Sequence, residues 1–310
     1  MATTMTNTKT LTAAVKRPTL DDLDYLSTGK RTRLHRMLHQ FGPGNGTLLF
    51  LPIDQGLEHG PVDFFENEDA QDPDFQCRLA LDGRYSAIVF HIGLAEKYMP
   101  RYAGKVPLVL KINGKTTVPS DADAFSPLTS TVEDAVRLGA DAIGYTLYVG
   151  SPAQDLDIAQ FNEVRRDAER YGIPIIVWAY PRGTAIEEKG GKDSLYAIDY
   201  AARVACELGA DVVKINLPKG GNANAKEPKP YNALNLTFEE SVRKVVRSAG
   251  RTMVLFSGGS KVGDDDLLHK ARVAMESGAT GLIFGRNMWQ RPMTEALDVT
   301  RRVTEMMKKS

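Results

Sequence analysis

The sequence predicts an α/β fold, a single (β/α)8 barrel with an N-terminal extension, and three observations predict it. Short runs rich in Val, Ile, Leu and aromatics recur about eight times from residue 47 onward. Stretches of helical period stand between them. The joint from helix to strand repeats almost unchanged in RLGADAIGY, ELGADVVKI and ESGATGLIF. Apolar residues occupy both faces of each run, as parallel strands covered on both sides require. Length alone, 310 residues, would suggest two domains, yet no break in composition divides the chain. Barrels of this class reach about 250 residues as one unit. A doubly wound open sheet is the alternative, and the lack of GxGxxG after the first run counts against it.

Taken in order, residues 1–27 show neither period and are expected to form a tail or a surface-packed extension, with the catalytic barrel over 28–310. Strands are expected at 47–54, 85–92, 106–112, 140–148, 173–181, 210–218, 252–259 and 279–286. Amphipathic helices are clearest at 159–172, 195–209, 237–250 and 264–278. Thr237 and Asp264 are expected N-caps, and Glu240 completes a capping box with Thr237. Gly139, Gly172, Gly209, Gly250 and Gly278 stand where helices need a left-handed residue to stop.

Composition narrows the function. Lys plus Arg equals Asp plus Glu at 39 each, so no global field draws in nucleic acid or an anionic membrane. Anion binding must then be local. Cys77 and Cys206 lie outside any CxxC or CxxH context and read as free buried thiols in a reducing compartment. The N-terminus lacks the apolar region of a signal peptide, and no apolar run reaches the roughly 18 residues of a membrane span. A cytoplasmic protein is expected. The five histidines offer no strong ligand spacing, so no metal is expected.

In a barrel the chemistry belongs at the C-terminal ends of the strands. Lys214, in ADVVKINLP, is a lysine inside an apolar strand. Burial would lower its pKa and free an amine to attack a carbonyl, although a snorkelling, ion-paired or phosphate-holding lysine would look the same. Trp178 and Tyr180, in VWAYPRG, share one face by alternation. The phenol could move protons, or the ring could merely fill the barrel. Asp54, in LPIDQGLEHGP, could assist as an acid or base, or could fix the next loop. Lys111, in LKINGKT, is a second lysine near the lumen, a substrate ligand or a neighbouring cation that helps keep Lys214 neutral. SGGSK (257–261) and FGRN (284–287) bring glycines and a helix start together after strands seven and eight, where barrels bind phosphate. Arg286 can add a charge-assisted bond there.

Together these segments resemble the archaeal-type class I fructose-bisphosphate aldolases, over about residues 45–290. LPIDQGLEHGP is the most specific of them; GGSK and GRN recur in many phosphate-binding barrels. The resemblance implies Lys214 as the Schiff-base lysine, Tyr180 as the proton-transferring phenol, and Asp54 as the assisting carboxylate. It implies a site lined by Trp178 and a phosphate held by Ser257, Gly258, Gly259, Gly285 and Arg286. It further implies a sugar phosphate as substrate, no cofactor, and a homo-oligomer that could be a decamer. The family glutamate that follows the Schiff-base lysine has no secure counterpart here; Glu227, in the loop 219–232, is a possible match left unassigned. Sister enzymes share the Asp, Tyr and Lys set: a transaldolase-like sugar synthase and a sugar-phosphate thiolase. A metal-dependent aldolase and a non-catalytic sugar-phosphate-binding barrel are the readings from other classes.

Overall fold

The computed structural model describes residues 15–219 and 224–310. The first fourteen residues of the expected extension, and residues 220–223 of the sixth loop, lie outside the described residues. Eight parallel strands close into one barrel in the order of the chain. They are β1 (Leu48–Pro52), β2 (Ala87–His91), β3 (Leu108–Lys111), β4 (Ala142–Val149), β5 (Ile175–Pro181), β6 (Val212–Ile215), β7 (Met253–Ser257) and β8 (Gly281–Ile283). Seven of them lie within the apolar runs named above and are shorter at one or both ends; β4 runs one residue past its expected end at 148, to Val149. Those runs include the loop residues that bury apolar side chains beyond the ladder.

The helices are α1 (Thr28–His35), α2 (Gln55–His59), α3 (Pro73–Asp82), α4 (Ile92–Tyr98), α5 (Val132–Arg137) and α6 (Gln154–Tyr171). After these come α7 (Thr184–Glu188), α8 (Leu195–Leu208), α9 (Phe238–Ser248), α10 (Asp264–Glu276), α11 (Arg286–Trp289) and α12 (Met293–Met307). In the repeated joint, Gly139, Gly209 and Gly278 have φ of 67°, 96° and 92°. A side chain there would be strained, which is why the joint keeps its glycine. Thr237 and Glu240 form the capping box at α9. Asp264 does not cap α10: the N-cap is Gly263, and the Asp264 carboxylate takes Arg291 and Arg302, each at 2.8 Å. Two guanidiniums outbid a backbone N–H for that carboxylate. Cys77 is buried as expected, but Cys206 is only half-buried.

Alternation along the strands splits the core in two. One cluster lies between barrel and helices; the other fills the lumen, with Leu48, Phe50, Val89, Val109, Ile176, Val212 and Leu255 among its members. Leu23, Leu26, Leu34, Met37 and Leu38 belong to the lumen cluster and close it on the N-terminal side of the strands. Lys30, on α1, is buried there, its Nζ held by Asp211 and Glu169. The segment 15–27 is tied down nearby, Arg17 Nε donating to the Ala279 carbonyl at 2.7 Å. The lower lumen is therefore packed shut, and the open end lies where the strands finish.

Candidate active site

The same parity that sends Val212 into the lumen sends Lys214 there two residues later. Its register neighbours are Trp178 on β5 and Leu255 on β7. One step further along β5, Tyr180 places its phenol against the Lys214 amine, and the two are hydrogen-bonded. The Lys214 Nζ stands 4.2 Å from the centre of the Tyr180 ring. Lys214 is 6% exposed. Burial, helped by the cations Arg182 and Lys111, pushes its pKa down to about 7, against the pull of Asp54 and Glu58. At neutral pH a large fraction of this amine is uncharged. Burial, with Glu58 and Asp54 nearby, holds the Tyr180 phenol well above its usual range.

Asp54 follows β1 and is buried. Desolvation raises its pKa and Glu58 adds to this, while Lys111 and Lys214 oppose it. The carboxyl is thus inclined to keep a proton. Lys111 is buried more deeply: its Nζ donates to the Asn113 carbonyl at 2.7 Å and lies 5.5 Å from the centre of the Trp178 ring. Burial lowers its pKa, and Asp54, Glu58 and Asp157 raise it. Opposite it in register stands Gly144. A Cβ on Gly144 would meet Trp178 Cζ3 at 2.8 Å and Lys111 Cδ at 2.9 Å, so the missing side chain makes the room that both occupy.

Loops seven and eight form the other wall. Asn287 ties them: its Nδ2 donates to the Gly258 and Ser260 carbonyls at 3.3 and 3.2 Å, and its Oδ1 accepts from Val262 N at 2.9 Å. Ser257 Oγ donates to Asn216 Oδ1 at 2.6 Å. Gly259 has φ +67°, and a Cβ on Gly285 would lie 3.0 Å from the Pro52 carbonyl. Arg286 opens α11 with Nη1 3.8 Å from Asp63, whose other carboxylate oxygen bonds His59 Nδ1 at 2.6 Å. Lys261 points elsewhere, to Glu66 at 2.7 Å.

These parts enclose a cavity of about 360 Å³. Of the ten residues singled out by sequence, Lys214, Tyr180, Asp54, Trp178, Ser257, Gly258, Gly259, Gly285 and Arg286 line it. Lys111 does not, although it lies near Trp178, which does. Gln55, Arg182, Lys192, Asp193 and Asn216 also line the cavity and were not singled out; Glu58 and His59, within LPIDQGLEHGP, line it too, and sequence assigns them no substrate-binding role. Arg182 had a usable signal, a cation just past the end of an apolar strand. It pairs with Asp121 at 2.9 Å and lies 5.0 Å from the centre of the Tyr180 ring. Glu227 lies apart from the cavity, where its carboxylate accepts the Leu195 and Tyr196 backbone N–H groups at the start of α8. Among the described residues no group of three His, Cys, Asp or Glu side chains is placed to hold a metal.

The sequence profile of the DeoC/LacD family of aldolases matches residues 48–291. The class 1 fructose-bisphosphate aldolase of Thermoproteus tenax is 38% identical over 263 residues, covering 84% of this chain and 90% of its own. That of Halobacterium salinarum is 37% identical over 247 residues, covering 80% and 86%. Among solved structures, an archaeal fructose-1,6-bisphosphate aldolase has its catalytic lysine covalently bound to the carbinolamine intermediate. It superposes with a TM-score of 0.76 at 36% identity, covering 89% of this chain and 99% of its own. The chain belongs to the DeoC/LacD aldolase family, in company with archaeal class 1 fructose-bisphosphate aldolases.

Proposed function

We propose that this protein is a class I aldolase that cleaves fructose 1,6-bisphosphate reversibly into dihydroxyacetone phosphate and glyceraldehyde 3-phosphate, with Lys214 as the imine-forming residue. The observation that carries the reading is the buried Lys214 amine, its pKa pressed to about 7, in hydrogen-bond contact with Tyr180 at the floor of the cavity. The family relationship supports the same chemistry.

The neutral amine adds to the C2 ketone and gives a carbinolamine. Tyr180 gives up its proton as water leaves, with Asp54 assisting, and an iminium forms. The free phenol resists ionisation because it is buried, but the iminium places a positive charge beside it and favours the phenolate. The phenolate accepts the C4 hydroxyl proton as the C3–C4 bond breaks, and the electron pair moves into the iminium to give an enamine. Glyceraldehyde 3-phosphate is released. Tyr180 then protonates C3, water adds to the new iminium, and hydrolysis restores amine, phenol and ketone. The proton count closes on Tyr180.

Loops seven and eight supply backbone N–H groups and Arg286 to one phosphate, and Arg182 and Lys192 offer cations for the other. A bisphosphate matches a cavity with positive charge in both places. We further propose a cytoplasmic homo-oligomer whose contacts cover Leu156 on α6 and Tyr200 on α8, exposed at 64% and 50%. No helix among the described residues is long and apolar enough to cross a membrane.

The test is to incubate the protein with fructose 1,6-bisphosphate and borohydride, then measure intact mass and map the modified peptide. A single adduct on Lys214 is expected. An adduct on another lysine would sink the assignment, and turnover without any adduct would remove the Schiff base from the mechanism.

A further inference from the structure

A second cavity, of about 500 Å³, shares a wall with the first. The segment 53–59 is the partition: Asp54, Gln55, Glu58 and His59 line the first cavity, while Ile53, Gly56 and Leu57 line the second. The second cavity has no part in the reaction described above. Its sides are largely apolar, with Leu57, Phe64 and Leu94, and Lys97 stands exposed at its rim.

Two polar side chains in this apolar wall hold acceptors without a hydrogen-bond partner among the described residues. Gln76 is fully buried; its Nε2 donates to the Ala70 carbonyl at 2.6 Å, but its Oε1 has no partner. His91 Nδ1 is buried and has no hydrogen-bond partner among the described residues, although the Lys111 backbone stands beside the ring and pulls its pKa upward. Burial and the neighbouring Lys111 keep that imidazole neutral, its pKa down to about 3, so an imidazole nitrogen remains free to accept. Acceptors buried without donors are costly, and their occurrence in one cavity wall marks a place for a donor from outside.

We propose that this second cavity is an effector site for small hydroxyaryl carboxylates. The aromatic ring packs on Leu57, Phe64 and Leu94, the hydroxyl donates to Gln76 or His91, and the carboxylate meets Lys97. Occupancy reaches the first cavity through short contacts. A Cβ on Gly114 would lie 2.7 Å from Leu57 Cδ2 and 2.9 Å from His91 Cε1, so these two side chains close over that glycine. Three residues on, Thr117 N donates to the Glu58 carbonyl at 2.8 Å. A ligand bearing on Leu57 and His91 therefore bears on α2, whose other side faces the first cavity. The effect on turnover rests on the aldolase reading; the binding does not.

The probe is 4-hydroxyphenylacetate, titrated into the full chain and followed by ligand-observed NMR. Gly93 lines the cavity, and no atom lies within 4 Å of a Cβ built on it, so Gly93→Leu fills space without a clash. Lys97→Glu, at an exposed position, serves as a second variant that leaves the core untouched. Saturable binding is expected, weakened at least tenfold by each variant and unchanged in Lys214→Met. At saturation, kcat for fructose 1,6-bisphosphate cleavage should change at least twofold. No saturable binding, binding in either variant as tight as in the parent, or loss of binding in Lys214→Met would overturn the site. Binding without any change in kcat would overturn the coupling. Binding retained in a protein that cleaves no sugar phosphate would instead count against the aldolase reading.

Discussion

An ammonium buried beside other cations is unstable, and at Lys214 the consequence can be read in two ways. For activity, the reactive form is the free amine, so the rate of imine formation should fall about tenfold per pH unit below about 7 and level off above it. A pre-steady-state trapping series across pH 5–9 checks this. For stability, the folded pKa of about 7 lies below the unfolded value of about 10.4, so the unfolded chain holds the extra proton between them. Folding is therefore penalised fully below pH 7, and the penalty fades as pH rises toward 10. Lys214→Met removes the titrating group. Its thermal midpoint should exceed that of the parent at pH 6, with the advantage shrinking by pH 10. An advantage independent of pH would mean that packing, rather than charge, explains it. On the proposed mechanism, Tyr180→Phe should lower cleavage by about 10²–10⁴ while leaving the borohydride adduct obtainable but slower to form, since Asp54 can still assist loss of water whereas nothing replaces the phenolate at the C4 hydroxyl. Arg286→Ala should weaken phosphorylated substrates by about one to two powers of ten and leave unphosphorylated analogues unaffected.

At the scale of elements, the strands position these groups by parity, and Gly144 on β4 shows how little slack there is. Gly144→Ala drives a methyl group into Trp178 and Lys111. Overpacking of this kind costs about 1–3 kcal/mol, which urea denaturation would register, and the displaced indole should also raise KM. The same elements explain what could be read beforehand. Lys214, Tyr180 and Asp54 stand out because a polar residue in or just beyond an apolar strand has no routine explanation. Arg182, just past β5, carries the same signal; Lys192 and Asp193 do not, because polar residues in loops are ordinary and only the closed barrel brings them to the cavity. Lys111 shows a different limit. Alternation fixes the face on which a side chain lies but not its depth, and Lys111 lies near Trp178 without lining the cavity. Asp264 shows a third: the residue before the helix, not the first acidic one, is the cap.

For the molecule as a whole, the eightfold rhythm was legible because each strand and helix repeats one local joint. The plug was not, since residues 15–27 carry no period of their own. Leu23 is 1% exposed and belongs to the lumen cluster. Leu23→Ala should cost about 2–5 kcal/mol of unfolding free energy, as large as a change in the barrel wall itself. A loss under about 0.5 kcal/mol, measured by denaturant titration, would mean the plug is dispensable.

That plug also makes the lumen a blind alley. Among the described residues the way to Lys214 opens at the ends of the strands, and what reaches the lysine arrives and departs there. On the proposed mechanism, one fragment is bonded to Lys214 at the closed end during turnover, and the other is not. The untethered aldehyde leaves first, and only then does water have an unobstructed way to the imine. A tube sealed at one end thus sets the sequence of departures: product-inhibition patterns should show the aldehyde released before the ketone, with no gate required to enforce the order.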